Sequence, residues 1–142
     1  MDNCYYECTV KYDQVQETGL IKKVCEKYIV EAMSFSKAEE CILEEMQQYV
    51  RGEINVTAIR RLQIAEIFES HEAADRWYKA RITFLTLDDR TGKEKRTPCV
   101  FLVHAKDFDD ARNAIQEGMQ GTLGDWENAF LSETPVIDVI KQ

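Results

Sequence analysis

Residues 19–46, GLIKKVCEKYIVEAMSFSKAEECILEEM, and residues 92–119, GKEKRTPCVFLVHAKDFDDARNAIQEGM, decide how this chain is read. Laid over one another at an offset of 73, nine of the 28 positions are identical: Gly19/Gly92, Lys22/Lys95, Val30/Val103, Ala32/Ala105, Phe35/Phe108, Ala38/Ala111, Ile42/Ile115, Glu44/Glu117 and Met46/Met119. Most of the nine are apolar or turn residues, the kinds on which a shared fold depends. Upstream the offset becomes 72, where Tyr6, Cys8, Val10 and Tyr12 meet Tyr78, Ala80, Ile82 and Phe84. Downstream, at 72 again, Ile64-Ala65-Glu66-Ile67-Phe68 meets Val136-Ile137-Asp138-Val139-Ile140. The chain therefore reads as an internal duplication, with repeat 1 over 5–68, a linker over 69–76 and repeat 2 over 77–140.

Each copy carries the same signals. Tyr6, Cys8, Val10 and Tyr12 alternate with Glu7, Thr9 and Lys11, the period of two that marks a half-buried strand; Tyr78 to Phe84 repeats it. A polar turn follows, Gln16 to Gly19 in one copy and Asp88 to Gly92 in the other, with glycine where a hairpin needs a left-handed residue. Second strands are predicted at about Lys23–Glu31 and Arg96–His104. Ser34 and Asp107 then stand as helix N-caps, and Phe35, Ala38, Ile42 and Met46, like Phe108, Ala111, Ile115 and Met119, form one apolar stripe. A third strand closes each copy, Val56–Phe68 and Ala129–Ile140, the latter broken or at an edge near Pro135. The unit is ββαβ. One helix on three strands is a thin core for so short a segment, so the expectation is an α+β protein with two helices on antiparallel-rich sheet, fused about a pseudo-twofold axis into a single domain over 1–142. Sheet edges left open would favour a homo-oligomer.

Composition bounds the function. The chain has 142 residues, 44% hydrophobic and 31% charged, which excludes a disordered chain. No apolar run approaches the ~20 residues of a membrane-spanning helix. The start, Met1 to Cys8, has no basic stretch leading into an apolar one, so no secretory signal is read there and an intracellular protein is expected. Eighteen bases against 26 acids give a net charge of −8, which disfavours nucleic acid as a partner. Five cysteines without a C-x-x-C pair read as small hydrophobes, with Cys8 on a buried strand face and Cys41 beside the helical stripe.

Residues that carry chemistry are few. His71 lies in the linker, and His104, five residues from Cys99 on one strand, points to the opposite face, so no local nucleophile–base pair forms. Glu66 and Asp138 are the matched acids of the two copies, set among apolar neighbours; brought together, they would share a proton or accept from an amine, while simple alternation would leave both wet. Gly118, Gly121 and Gly124 follow a helix instead of opening one, so no phosphate loop is present. Trp77 and Trp126 depart from the repeat and are candidate ligand contacts on that ground. Lys79 and Arg81, with Lys11 on the equivalent strand and Arg60 and Arg61 on the third, form a basic patch. It either holds an anion or a short single strand or is neutralised by Glu7 and neighbouring acids, and the net charge favours neutralisation. No metal and no cofactor is expected.

The stretches Tyr6-Glu7-Cys8-Thr9-Val10-Lys11-Tyr12, Ala32 to Glu39, Ala73 to Lys79 and Ser132 to Val139 together resemble a small domain-of-unknown-function family of Bacteroidetes, their phages and mobile elements, with Ala74-Asp75-Arg76-Trp77-Tyr78-Lys79 the most specific piece. The resemblance spans Tyr6 to Val139. It implies a cytosolic bacterial or phage setting, no assigned enzymatic activity and no catalytic residue. The resulting expectation is a non-catalytic, homo-oligomeric binding protein of phage or mobile-element type, with its site between the two copies or across a subunit interface and with a small anionic ligand or a host or phage protein as partner. Two alternatives stand beside it: sequestration of a small anionic, nucleotide-like ligand to block host defence signalling, and single-stranded nucleic-acid binding on an open sheet face.

Overall fold

A computed structural model describes residues 3–70 and 73–141; His71 lies outside them. In chain order the elements are β1 (Cys4–Val15), β2 (Ile21–Ala32), α1 (Phe35–Met46), β3 (Ile54–Leu62), β4 (Glu66–Glu69), β5 (Arg76–Leu87), β6 (Glu94–Ala105), α2 (Phe108–Gly118), β7 (Asp125–Glu133) and β8 (Val136–Ile140). The result is α+β and mostly sheet: two four-stranded mixed sheets, ordered β3-β1-β2-β8 and β4-β6-β5-β7, and two helices. Among the described residues no helix is long and apolar enough to cross a membrane.

The local signals produce the elements they imply. Gly19 (φ +86°) and Gly92 (φ +69°) take the left-handed conformation in the two hairpin turns, where a side chain would be strained. The Ser34 hydroxyl accepts from the Lys37 amide at 3.1 Å, and the Asp107 carboxylate accepts from the Asp110 amide at 2.8 Å, so each helix has one of its free first-turn donors satisfied. The helical stripes then bury Ala38, Ile42 and Met46 on one sheet, and Ala111, Ile115 and Met119 on the other. Cys8 is fully buried and Cys41 half-buried in the first of these cores.

The chain divides into two compact units, and they do not follow the sequence copies. Unit 1 comprises Met1–Gln63 with Pro135–Gln142, and unit 2 comprises Ile64–Thr134. In unit 1, β1 pairs antiparallel with β2 and β3, and β8 adds parallel to β2. In unit 2, β5 pairs antiparallel with β6 and β7, and β4 adds parallel to β6. The predicted third strands are thus each two strands, so the described residues form eight and the run in each half is ββαββ. Val56–Phe68 breaks after Leu62, and Ala129–Ile140 breaks at Thr134-Pro135. At both breaks the chain leaves one sheet for the other, and Pro135, lacking an amide donor, stands where pairing stops. A run of strand-forming residues records that the chain is extended and not which strand lies alongside, so the change of sheet carries no signal of its own in the sequence.

The pairing registers match in detail. Tyr6 lies opposite Val30 as Tyr78 lies opposite Val103, and Cys8 opposite Ile59 as Ala80 opposite Leu131. The bulge at Thr9/Val10 falls where the other sheet has one at Arg81/Ile82. Val30 pairs with Ile140, and Val103 with Phe68.

Candidate functional site

In each unit one face of the sheet carries the helix. The opposite face presents the odd-numbered residues of the first strand, Tyr5, Glu7, Thr9 and Lys11 in unit 1 and Trp77, Lys79, Arg81 and Thr83 in unit 2. Cross-strand register decides what each of these side chains meets.

In unit 1, Glu7 lies opposite Arg60 on β3. The Arg60 guanidinium donates to the Glu7 carboxylate at 3.1 Å, and Lys27 approaches the same oxygen at 3.7 Å. Two cations thus share one acid that is mostly shielded from water, which leaves this part of the face with one positive charge in excess but each cation beside a carboxylate. Arg61, one residue on, lies opposite Tyr6 and hence on the helix side, exposed; Arg60 and Arg61 do not act together. A shallow cleft of this unit is lined by Lys11, Lys23 and Tyr12 together with Asp13 and Glu53, so both signs of charge border it.

Unit 2 is different. Lys79 lies between Leu102 and Ser132, and Arg81 between Val100 and Phe130, with no acid in register. Both cations are exposed, and among the described residues no carboxylate pairs with either. The Arg81 guanidinium sits over the Phe130 ring, 5.7 Å from its centroid, a cation–π contact that leaves its hydrogen-bonding edge available. Three arginines of this unit are paired, Arg76 with Glu133, Arg96 with Glu94 and Glu127, and Arg112 with Asp109, while Arg90, Lys93 and Lys95 stand exposed in and beside the turn from β5 to β6. Neutralisation therefore describes Arg60 and not Lys79 or Arg81.

Trp77 is only 3% exposed. Its ring lies parallel to His104, 4.2 Å between centroids and 3° between planes, which explains the place of His104 at the end of β6. The Trp77 carbonyl accepts from the Thr134 amide and hydroxyl, whereas its indole Nε1, fully covered, has no acceptor. Trp126 lies opposite Phe84 and packs against the helix-side core. The two tryptophans occupy opposite faces of one sheet, so the shared reason for selecting them, departure from the repeat, does not bring them to one site. Cys99, packed on the same core as Trp126, is likewise on the other face from His104.

Glu66 lies on β4 of unit 2 opposite Phe101, and Asp138 on β8 of unit 1 opposite Tyr28; both are exposed. Asp138 Oδ1 accepts from the next amide, Val139, at 2.8 Å. Among the described residues no group of three or more His, Cys, Asp or Glu side chains is arranged to hold a metal ion.

Sequence reading missed a polar cluster in unit 1. Tyr12 and Tyr28 both donate to Glu26 Oε1, at 2.8 and 3.2 Å. Burial, reinforced by the Glu26 carboxylate, pushes the Tyr12 hydroxyl up to about 12 and raises Tyr28 as well. At the corresponding places unit 2 has Phe84, Cys99 and Phe101, and the signal was there to find: polar residues at inward positions of one copy where the other is apolar. Phe130 was also missed, since only its register with Arg81 gives it significance.

No curated protein matches the chain. Residues 4–142, nearly the whole length, match the sequence pattern of one family, and the chain belongs to it: Domain of unknown function (DUF4494).

Proposed function

We propose that the chain is a non-catalytic binding protein that acts as a homo-oligomer and captures an acidic ligand on the helix-free face of unit 2. One observation carries this reading: in a chain of net charge −8, Lys79 and Arg81 stand exposed, side by side on one face of β5, without acids to neutralise them. Exposed cations without a carboxylate partner stay hydrated at little cost to stability and remain available to an incoming anion. The setting in a phage or mobile element of Bacteroidetes, inside the bacterial cytoplasm, belongs to the same reading and rests on sequence resemblance.

Descent from one duplicated unit supports a binding role. Matching registers and bulges at offsets of 72 and 73 are what duplication leaves behind, and a second copy is free to change its outward residues and acquire a ligand. Homo-oligomerisation is supported by β3 and β7, nine-residue strands with a neighbour on one side only, whose unpaired backbone groups invite pairing with another chain.

Single-stranded nucleic acid is the second reading. It is favoured by Arg81 over Phe130, since a cation beside an exposed ring is how sequence-tolerant strand binders hold bases. Native mass spectrometry of protein purified from its host lysate separates these ideas. An even oligomer carrying a few hundred daltons per site supports the small-ligand form, and a bare oligomer that pulls down a host protein replaces it with protein–protein binding. Oligonucleotide affinity that falls steeply with salt and is lost in Lys79→Glu/Arg81→Glu would instead establish the strand binder.

A further inference from the structure

Positions 77, 79 and 81 lie on one face of β5 and offer hydrogen-bond donors in a row. At about 3.3 Å per residue the row is roughly 13 Å long. Its three members are incomplete in different ways. The Trp77 indole N–H is covered and lacks an acceptor, a costly state for a buried donor and one that native structures seldom leave unanswered. Lys79 is exposed and has no acid in register. Arg81 lies over Phe130, a ring itself 45% exposed, so an aromatic surface remains at that end for something else to stack on.

Together these features describe a ligand with acceptor oxygens at one end and a flat ring at the other. An inorganic anion would satisfy Lys79 and leave Phe130 uncovered. A plain aromatic molecule would cover Phe130 and leave two donors unmet. We infer that the Trp77–Lys79–Arg81 strip, with Phe130, is a binding site for a nucleoside phosphate. Its phosphoryl oxygens accept from the Trp77 N–H and from Lys79, and its base lies against Phe130 and the Arg81 guanidinium. The indole N–H is fully covered, so a phosphoryl oxygen reaches it only as a covering group moves aside. His104 holds the indole from behind, so the donor is fixed before the ligand arrives. The inference rests on the proposal that unit 2 captures an acidic ligand and adds to it the ligand's class, its orientation and the part played by Trp77.

The test uses the full chain with ¹⁵N label and four probes added separately: adenosine, guanosine, cytidine and uridine 5′-monophosphate, with inorganic phosphate as the reference. The two indole N–H signals are assigned from Trp126→Phe. At least one nucleotide is expected to move the Trp77 signal saturably, leave that of Trp126 in place, and bind at least tenfold more tightly than phosphate. Trp77→Phe, which keeps a ring against His104, should weaken binding roughly tenfold. Lys79→Gln/Arg81→Gln, altering only exposed side chains, should abolish it with an otherwise unchanged spectrum. Nucleotide binding with a silent Trp77 signal, or undiminished in Trp77→Phe, overturns the assignment of Trp77 and leaves the acidic-ligand reading standing. Phosphate binding as tightly as every nucleotide overturns the ring half of the site. Failure of all five probes overturns the inference, and the acidic-ligand reading falls with it only if the host-purified protein also carries no adduct.

Discussion

Glu7 and Lys79 occupy equivalent places in their two sheets, on equivalent strands with equivalent neighbours, and their surroundings could hardly differ more. Around Glu7 the register supplies Arg60, and Lys27 leans in as well; around Lys79 it supplies Leu102 and Ser132. On the helix side the contrast runs the other way: Tyr12, Glu26 and Tyr28 form a hydrogen-bonded cluster in unit 1, where unit 2 has Phe84, Cys99 and Phe101 packed on the core. In unit 1, Glu7, Lys27 and Arg60 pair on one face and Tyr12, Glu26 and Tyr28 on the other. In unit 2 the corresponding helix-side places are apolar, and Lys79 and Arg81 on the other face have no acid in register. Backbone pairing that is the same in both cannot be the source of that difference, so a role in binding is to be sought in what unit 2 leaves open.

The comparison can be pressed hardest where packing differs. Gly118 at the end of α2 lies against Phe68, and a Cβ added there would fall 2.6 Å from two ring atoms. The ring is itself stacked on Phe101, centroids 5.3 Å apart, so it has little room to yield. Unit 1 has Glu45 and the smaller Ile140 at the corresponding places. Gly118→Ala should cost about 1–3 kcal/mol in overpacking, reduced by the ~1 kcal/mol that alanine gains in a helix. The net expectation is a loss of about 1 kcal/mol, and no more than about 2, in denaturant unfolding, largely recovered when Phe68→Ile is added to copy unit 1. If Gly118→Ala alone is neutral, the close approach does not constrain the sequence.

How far the sequence spoke can be seen residue by residue. Ser34 and Asp107, Gly19 and Gly92, and the stripes ending at Met46 and Met119 were legible because each acts within a few residues of itself. The separation of β4 from β3 and of β8 from β7 was not, since the inward–outward rhythm is blind to which sheet a strand joins. The same blindness affected the site. Arg60 and Lys79 look alike as outward bases, and only the register shows that one faces an acid and the other a serine. Trp77 departs from the repeat, which is visible in sequence; that it is buried on His104 follows from the pairing of β5 with β6 and is not.

Alkali should tell the units apart next. Burial, with smaller contributions from Cys41, Glu7 and Glu39, pushes the Cys8 thiol from 9.0 up to about 12, and Tyr12 is pushed from 10.0 up to about 12, with Tyr28 raised in the same direction. A group whose proton is held more tightly in the folded chain than in the unfolded one adds stability that is complete below the unfolded value and is lost as pH rises through the folded value. The window is therefore pH 9 to 12. Unit 2 has Ala80, Phe84 and Phe101 in these places and contributes no such loss from them. Stability measured in urea at pH 8 and pH 11 should fall more in the natural chain than in Cys8→Ala/Tyr12→Phe/Tyr28→Phe. Equal falls would mean that the cluster is hydrated in both states.

The smallest effect expected is the one closest to function. Exchanging the outward charges, Glu7→Lys in unit 1 and Lys79→Glu in unit 2, changes the net charge equally and oppositely, so any difference between them reflects surroundings. Glu7→Lys sets a third cation beside Arg60 and Lys27. Those two are 69% and 41% exposed, and water screens most of their repulsion, which holds the cost to about 1 kcal/mol; half-molar salt should shrink it further. Lys79→Glu disrupts no pair, and its stability should stay within about 0.5 kcal/mol of the natural chain. A position that charge reversal does not disturb is not maintained by folding, so the lysine there must be explained by what it meets from outside. Should Lys79→Glu prove as costly as Glu7→Lys, Lys79 has a structural partner after all, and the contrast between the two faces no longer points to a ligand.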